Sequence, residues 1–167
     1  MSQQAPPRVR TGEVRTHSTE ISELDKRIIE HLQQDGRRPF TQIALALGVS
    51  EATVRARTNR LVERDILQIV GVTDPLKLGF QQQAMIGVRC EAAQLMEAAA
   101  AISEFPEVDY LVVTAGAYDL LVEVVCEDNE ALLGFLTQKL RQVAGVRETE
   151  TFVYLRMVKQ VYSWGTR

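Results

Sequence analysis

The chain has 167 residues, a formal net charge of −3 and 46% hydrophobic residues, which suits one large or two small domains and excludes an intrinsically disordered protein. We expect neither a membrane span nor a secretory signal, because no run approaches the roughly 18 to 20 apolar residues of a spanning helix and the N-terminus lacks an apolar segment. Cys90 and Cys126 lie in strand-like apolar runs without CxxC spacing, so we expect buried thiols in a reducing cytoplasm.

The charges are unevenly distributed. Six arginines and two glutamates lie between Arg37 and Arg64, a net charge of +4, whereas residues 76–167 carry 8 basic and 12 acidic residues, a net charge of −4. A basic surface attached to an acidic body is typical of a nucleic-acid-binding module joined to a second domain with another role.

Residues 1–19 contain two prolines and scattered arginines without periodicity, which predicts a mobile tail. Its arginines Arg8, Arg10 and Arg15 either contact phosphates or belong to a solvated leader. The folded part begins at Ser22, which with Asp25 resembles a capping box. An apolar helical stripe follows from Leu24 to Leu32, and Asp35-Gly36 ends that helix.

The segment from Thr41 to Leu61 has the pattern of a helix-turn-helix. We expect Thr41 to cap a short helix, Gly48 to occupy the reversal and Ser50 to cap a second helix over 51–64. Two helices joined by a short turn containing glycine form the unit that reads DNA, although an ordinary helical hairpin has the same pattern. Period-two apolarity over 66–72 then predicts a strand, which makes residues 20–72 a three-helix, winged-helix-like domain.

Residues 73–79 are predicted to form a hinge into a second domain over residues 80–167. Its pattern predicts strands over 84–90, 108–114, 120–126 and 146–161, with helices over 94–105 and from Asp128 to Gly145. This β-α-β-β-α-β order is the ferredoxin-like sandwich, so the fold class is α+β. Two helices cover one sheet face, and the other face needs a partner, most simply a second copy of the chain. Candidates for the sheet faces are Val108, Tyr110, Val112, Leu121 and Val124.

Several motifs resemble those of the Lrp/AsnC (leucine-responsive, or feast/famine) family of transcriptional regulators. They are LDKRII at 24–29, LQQDGR at 32–37, LGVS at 47–50 followed by Val54, Arg57 and Leu61, and GAYDL at 116–120. Their order and spacing cover about residues 21–161. The chain departs from the family at Thr58, where an apolar residue is usual, and at Ala117, where many members have an acidic or polar residue.

For DNA, the implications of the resemblance agree with what the residues allow: the helix over 51–64 enters the major groove. Side chains predicted to reach base edges are Glu51, Ala52, Arg55, Ala56 and Asn59. Predicted phosphate contacts are Arg38, Thr53, Arg57, Arg60 and Arg64. For Arg57 a partly buried pairing with an acid such as Asp65 or Glu63 is an equal alternative, and Thr53 is equally well explained as helix surface.

The resemblance also implies a small effector, commonly an amino acid, bound between dimers near the glycine loop. The predicted effector residues are Thr114, Ala115, Gly116, Ala117, Tyr118, Asp119, Phe152 and Tyr154. Backbone N–H groups at 115–117 are expected to bind a carboxylate and Asp119 an ammonium. The alternatives are that Gly116 serves a hairpin, Asp119 caps a turn and the aromatic residues belong to the core. We expect a homodimer that assembles further into a tetramer or octamer.

The pattern argues against an enzyme, and we expect no cofactor and no metal. His17 and His31 lie away from the predicted sandwich, and Glu148 and Glu150 are most simply a solvated strand face shared with Phe152 and Tyr154. The prediction is therefore a cytoplasmic, sequence-specific transcriptional regulator that binds double-stranded DNA and no membrane. The alternatives are an architectural DNA-binding protein of low specificity and a small-molecule-binding module that regulates an enzyme.

Overall fold

A computed structural model describes residues 21–161 of the chain. The predicted tail over 1–19, with its arginines, and the last six residues of the predicted second domain lie outside the described residues. The chain divides between Val70 and Gly71 into two compact units. None of the described helices is long and apolar enough to cross a membrane.

The first unit consists of three helices: α1 over Glu23–Gln34, α2 over Phe40–Leu47 and α3 over Glu51–Glu63. They enclose one apolar centre in which Ile28, Ile43 and Val54 are fully buried. The capping box predicted at Ser22 is confirmed, because the Asp25 N–H donates to Ser22 Oγ and the Asp25 carboxylate accepts from the Ser22 N–H.

The turn between α2 and α3 has the expected residues. Gly48 ends α2 with φ +67°, a left-handed conformation that glycine adopts without a Cβ penalty. Ser50 caps α3 by accepting a hydrogen bond from the Thr53 N–H at 3.1 Å. The prediction that Thr41 caps α2 is wrong: α2 begins at Phe40 after Pro39, whose fixed φ already suits a helix start.

The strand predicted over 66–72 is also wrong, so the three-helix unit has no strand in its described part. The N–H groups of Ile66 and Leu67 both donate to the carbonyl of Leu61, which turns the chain back at the end of α3. Leu67 is buried, whereas Val70 is 64% exposed. Alternating apolarity makes a strand only where a neighbouring strand supplies hydrogen bonds, and this segment pairs with none of the described strands.

Thr58 gives a stability prediction. It is 2% exposed, and within the described part of the chain its Oγ1 has no hydrogen-bond partner. We expect Thr58→Val to raise the free energy of unfolding by about 1 kcal/mol, because an unpaired buried hydroxyl is replaced by a methyl of similar shape. Urea denaturation followed by circular dichroism measures this. Thr53→Val is the control, since its hydroxyl already bonds Ser50; an unchanged or lower stability for Thr58→Val would contradict the account.

The second unit confirms the predicted β-α-β-β-α-β order. Its elements are β1 over Gln82–Cys90, α4 over Leu95–Ser103, β2 over Val108–Val113, β3 over Leu120–Cys126, α5 over Asn129–Gly134 and β4 over Val146–Val153. Short 3-10 turns lie at Pro75–Leu78 and Ala92–Gln94, and α5 continues as a π turn over Phe135–Lys139 and a 3-10 turn over Leu140–Gln142. The sheet has the order β2-β3-β1-β4, and all its pairs are antiparallel.

The core of this unit lies between one sheet face and the helices, with Ile86, Val122 and Phe135 at most 1% exposed. Cys90 and Cys126 are free thiols buried at the edge of this core, as predicted, and burial raises the pKa of both. The predicted length of the last strand is wrong. β4 ends at Val153 because its partner β1 begins at Gln82, and the last backbone contact runs from the Tyr154 N–H to the Gln83 carbonyl.

Candidate nucleic-acid interface and ligand site

Helix α3 buries one side and exposes the other. Val54, Thr58 and Leu61 face the core, as expected for Val54 and Leu61. At 100° per residue, the opposite direction is occupied by Ala52, Ala56, Asn59 and Glu63, all exposed. Three of the predicted base-reading residues therefore share the outermost face of the helix, with two small side chains that allow close approach to a surface.

The two other predicted base-reading residues lie on the flank of α3 next to α2. Arg55 donates to Glu51 at 2.5 Å, one helical turn away, and its guanidinium lies 5.3 Å from the centre of the Phe40 ring. The Arg55 side chain is 59% exposed. Glu51 therefore acts with Arg55 as a pair and holds the guanidinium in one direction.

The opposite flank of α3 carries Arg57 and Arg60, which both pair with an acid on another helix. Arg57 pairs with an acid, and that acid is Asp25 of α1: Arg57 Nη1 lies 3.0 Å from Asp25 Oδ1. Arg60 Nη2 donates to the other oxygen of Asp25 at 3.3 Å. Burial would raise the pKa of Asp25, but hydrogen bonds from Ser22 and Arg57, together with the charge of Arg57, outweigh it and lower the pKa.

The remaining predicted phosphate contacts are spread along the unit. Arg38 is half-buried beside α1, where Arg38 Nη1 lies 2.8 Å from His31 Nδ1, and burial followed by the charge of Arg38 lowers the pKa of His31. Thr53 shares a hydrogen bond with Ser50 through their hydroxyl groups at 2.8 Å. Arg64 is exposed at the end of α3. Thr53 and Arg38 thus have partners within the unit.

In the second unit, the helices cover one face of the sheet, and we call the opposite face the bare face. The residues on this face are Gln83, Met85, Gly87, Arg89, Tyr110, Val112, Leu121, Glu123, Val125, Glu148, Glu150 and Phe152. The register divides the predicted face residues: Tyr110, Val112 and Leu121 lie on the bare face, whereas Val124 is fully buried in the core and Val108 packs against it. The bare face is apolar at its centre and polar at both ends.

The loop between β2 and β3 is closed by its own hydrogen bonds. The Thr114 N–H donates to the Asp119 carbonyl at 2.8 Å, and the Thr114 hydroxyl donates to the Tyr118 carbonyl. Ala115, Gly116 and Ala117 are exposed at its tip. In the part of the chain that the structure describes, no hydrogen bond engages the N–H groups of Ala115 and Gly116, so both are available to an acceptor.

Asp119 has a structural role, but its carboxylate bonds β1 instead of capping a turn as the alternative supposed. Its Oδ2 accepts a hydrogen bond from the Cys90 N–H at 2.8 Å, and its own N–H donates to the Val88 carbonyl at 2.9 Å. These two bonds fasten the loop to β1. The other carboxylate oxygen, Oδ1, takes part in neither bond.

Tyr118 extends from this loop across the bare face. Its ring lies flat on Gly87, where an added Cβ would stand 2.6 Å from the ring, and packs edge-on against Phe152 with centroids 6.2 Å apart. Its hydroxyl donates to Glu150, and this bond raises the pKa of Tyr118. Gly87 is therefore required because the ring occupies the space of a side chain.

Arg89, Glu148 and Glu150 belong to the same cluster and were missed as site residues. Arg89 Nη1 bonds Glu148 at 2.6 Å, Arg89 Nε donates to the Ala117 carbonyl at 3.0 Å, and the guanidinium lies 5.4 Å from the centre of the Tyr118 ring. A depression beside them is lined by Arg89, Tyr118, Glu148, Thr149 and Glu150. The only sequence signal was that Glu148 and Glu150 alternate with Phe152 on one strand face.

Tyr154 lies apart from the other predicted effector residues. Its backbone bonds Gln83, and burial, followed by a hydrogen bond to Glu123, raises its pKa to about 12. Glu123 also accepts from Gln83 Nε2 at 3.1 Å. The structure thus gathers the loop, Tyr118 and Phe152 at one end of the bare face and Tyr154 towards the other. Among the described residues, no group of three or more His, Cys, Asp or Glu side chains is placed to hold a metal ion.

Two family models match the sequence. The Lrp/AsnC ligand binding domain matches residues 83–164, and the AsnC-type helix-turn-helix domain matches residues 21–62. An uncharacterized HTH-type transcriptional regulator of Pyrococcus furiosus is 36% identical over 146 residues, which cover 87% of this chain and 96% of that protein. The HTH-type transcriptional regulator LrpA of Pyrococcus horikoshii is 33% identical over 140 residues, covering 83% and 99%.

Solved structures have the same fold. Escherichia coli AsnC superposes with a TM-score of 0.79 at 26% identity, covering 86% of this chain and 97% of that one. A transcriptional regulator of Neisseria meningitidis, solved as a complex with L-Met, superposes with a TM-score of 0.79 at 24% identity, covering 87% and 96%. These relatives are transcriptional regulators rather than enzymes.

Proposed function

The chain belongs to the Lrp/AsnC family of transcriptional regulators, with a helix-turn-helix domain and a ligand-binding domain, and we propose that it reads a specific duplex sequence as a homodimer whose DNA binding responds to an amino acid. The observation that carries the proposal is the exposed side of α3. Small side chains and Asn59 lie at its outermost face, and arginines lie on both flanks. This arrangement fits a helix in the major groove.

The proposal gives these residues separate roles. Ala52, Ala56 and Asn59 face the base edges, with Asn59 suited to adenine, and the pair of Glu51 and Arg55 presents a guanidinium suited to guanine. Arg38, Thr53, Arg57, Arg60 and Arg64 are assigned to phosphates. Phosphate contacts fix the register without carrying sequence information. Because such a regulator must reach the chromosomal DNA, we propose that it is located in the cytoplasm.

A competition experiment separates a specific reader from an architectural DNA-binding protein. A labelled duplex recovered from genome-wide footprinting is titrated with the protein in a mobility-shift assay against unlabelled random duplex. A specific regulator keeps its complex in at least ~1,000-fold excess of competitor, as expected from the usual ratio of specific to non-specific affinity. Loss of the complex at equal concentrations would favour the architectural alternative.

We infer that dimerisation uses the bare face of the sheet. Met85, Val112 and Leu121 are only half-buried within the protomer, and Tyr110 is 52% exposed. An apolar centre with a polar rim is the usual anatomy of a protein interface. Two readers in one dimer bind two half-sites together, which raises both affinity and specificity. Further assembly of dimers into a tetramer or octamer remains part of the proposal.

The effector proposal places a free amino acid beside the loop over 114–119. The exposed N–H groups of Ala115 and Gly116 are available to its carboxylate, and Asp119, through Oδ1, to its ammonium, while Tyr118 and Phe152 flank its side chain. Tyr154, towards the other end of the bare face, is the weakest member of this set. That the neisserial protein binds L-Met is a property of that protein, and its likeness to this chain concerns the fold.

Gly116→Ala tests this site directly. A Cβ at Gly116 meets nothing within 4 Å and its φ is not in the left-handed region, so we expect the free energy of unfolding to change by less than about 0.5 kcal/mol. The added methyl stands where the carboxylate approaches the backbone, so the affinity for the amino acid should fall at least roughly tenfold, or about 1.4 kcal/mol.

Isothermal titration calorimetry with each of the twenty amino acids first identifies the ligand of the wild-type protein. Gly134→Ala is the matched control, since its Cβ also meets nothing and it lies in α5. Undiminished affinity in Gly116→Ala would contradict the carboxylate position. Flat titrations for all twenty amino acids would contradict the effector proposal as a whole.

A further inference from the structure

A shallow depression on α3 lies beside the buried carboxyl group of Asp25. It is lined by Ala52, Thr53, Ala56, Arg57 and Arg60. Asp25 belongs to α1 and lies 32 residues before Arg57, so only the folded unit brings the acid and the arginine together. The depression lies between the outermost face of α3 and the flank that carries Arg57 and Arg60.

The acid lies behind the two arginines. The Asp25 side chain is 4% exposed, whereas those of Arg57 and Arg60 are 31% and 52% exposed. Arg57 Nη1 donates to Asp25 Oδ1 at 3.0 Å and to Ser22 Oγ at 3.0 Å, and Arg60 Nη2 donates to Asp25 Oδ2 at 3.3 Å. Each carboxylate oxygen of Asp25 therefore accepts a hydrogen bond from one guanidinium group, on the side of that group that faces the protein.

The charges of this cluster are not balanced. One carboxylate faces two guanidinium groups, so the cluster keeps a net charge of +1 at its exposed edge. A guanidinium has five N–H donors, and the bonds to Asp25 and Ser22 engage a single nitrogen of each arginine. Within residues 21–161 no further hydrogen bond engages these two guanidinium groups, so their other donors are available to an anion. A phosphodiester carries the single negative charge that neutralises the cluster.

We propose that this depression seats one DNA phosphate between Arg57 and Arg60, and that Asp25 is a positioning residue that aims both guanidinium groups at it. The inference rests on the proposed function and deepens it. Ala52 and Ala56 border the depression on the side of the base edges, and their small side chains do not obstruct it. Without Asp25, two long side chains would have to be ordered at the moment of binding, at a cost in conformational entropy.

Asp25→Asn distinguishes positioning from general electrostatics because the two predict opposite signs. Removing a negative charge near a polyanion should strengthen DNA binding if Asp25 acts only through its charge. Positioning predicts the reverse: affinity for all duplexes alike falls roughly tenfold near 0.1 M salt. The slope of log affinity against log salt becomes shallower by about 0.9 for each phosphate that the variant no longer neutralises. Fluorescence anisotropy across a salt series measures both quantities.

Glu23→Gln is the matched control. It removes the same charge from the same helix, but the Glu23 side chain is 83% exposed and pairs with Lys26. We expect its DNA affinity to be unchanged or higher and its salt slope to stay the same. A double-mutant cycle adds the second control: in a background that carries both Arg57→Ala and Arg60→Ala, Asp25→Asn should lose most of its effect, because both of its arginine partners are absent.

A second variant covers the case in which Asp25→Asn does not fold. Arg57→Lys keeps the charge, but an ammonium lacks the planar fork with which a guanidinium can bond Asp25 and a phosphate together. The affinity for DNA should therefore fall several-fold while the fold stays intact. Wild-type affinity and slope in Asp25→Asn, or in Arg57→Lys if that is the variant measured, would overturn the inference alone. A wild-type protein that binds no duplex would overturn the proposed function as well.

Discussion

Leu121→Glu is expected to convert the proposed homodimer into monomers. Leu121 lies on β3 at the centre of the bare face, opposite Val112 on β2 and Gly87 on β1. In a two-fold dimer built on the bare face the substitution occurs twice, so two carboxylates would be buried in an apolar contact. Unpaired charges and like-charge contacts of this kind cost several kcal/mol, and we expect about 4 kcal/mol, or a ~1,000-fold rise in the dimer dissociation constant.

Sedimentation velocity over a range of protein concentrations measures this dissociation. The matched control is Leu133→Glu on α5, where the leucine is 53% exposed in the helical layer. We expect this control to remain dimeric and Leu121→Glu to keep its circular dichroism spectrum, because Leu121 is not part of the buried core. A Leu121→Glu protein that sediments as the wild-type dimer would show that dimerisation uses another surface.

Arg55→Ala is expected to relax the sequence preference at one base pair of each half-site by about 1–3 kcal/mol, the discrimination that a bidentate arginine gives. In the free protein Glu51 and Phe40 already hold the Arg55 guanidinium, so little ordering is needed on binding. The variant should keep most of its affinity for random duplex. Selection of sites by each variant from a randomised duplex pool measures the change.

Arg60→Ala provides the contrast. If Arg60 contacts a phosphate, its loss weakens binding to all sequences alike and leaves the selected motif unchanged. Arg55→Ala with an unaltered motif would contradict the proposed position of α3 in the groove. A change of motif in Arg60→Ala would place that arginine at a base edge instead.

Features set by short-range interactions were predictable from the sequence. The capping box at Ser22, the left-handed Gly48 and the cap at Ser50 each depend on residues within three or four positions, and all three are present. Apolar residues at alternate positions likewise predicted β1, where Ala84, Ile86, Val88 and Cys90 are buried, because a period of two indicates which face of a strand meets the core. The order of strands and helices in the second unit followed from the same patterns.

Features that depend on distant partners were not predictable in this way. Period-two apolarity over 66–72 predicted a strand, and the last strand was predicted to run from 146 to 161. A strand forms only beside a neighbour, however, and β1, the partner of β4, begins at Gln82. An acid was expected near Arg57 in sequence, whereas Asp25 on another helix provides the pairing.

The proposed effector site shows the same division. The family resemblance pointed to the loop over 114–119, but Arg89 joins it only in the folded sheet, where it bonds the Ala117 carbonyl, 28 residues away, and Glu148, 59 residues away. The flat contact between Tyr118 and Gly87 likewise results from the register of β1 beside β3 and has no local signature. These long-range contacts decide which polar residues share a site.

The central claim is that α3 of two copies reads one duplex. Selection of binding sites by the purified full-length protein from a randomised duplex library, followed by sequencing, tests it most directly. The account predicts a two-fold symmetric motif whose half-site centres lie about one helical turn, roughly 10 base pairs, or a multiple of it apart. A pool with no enriched motif, or with an isolated single half-site, would contradict it.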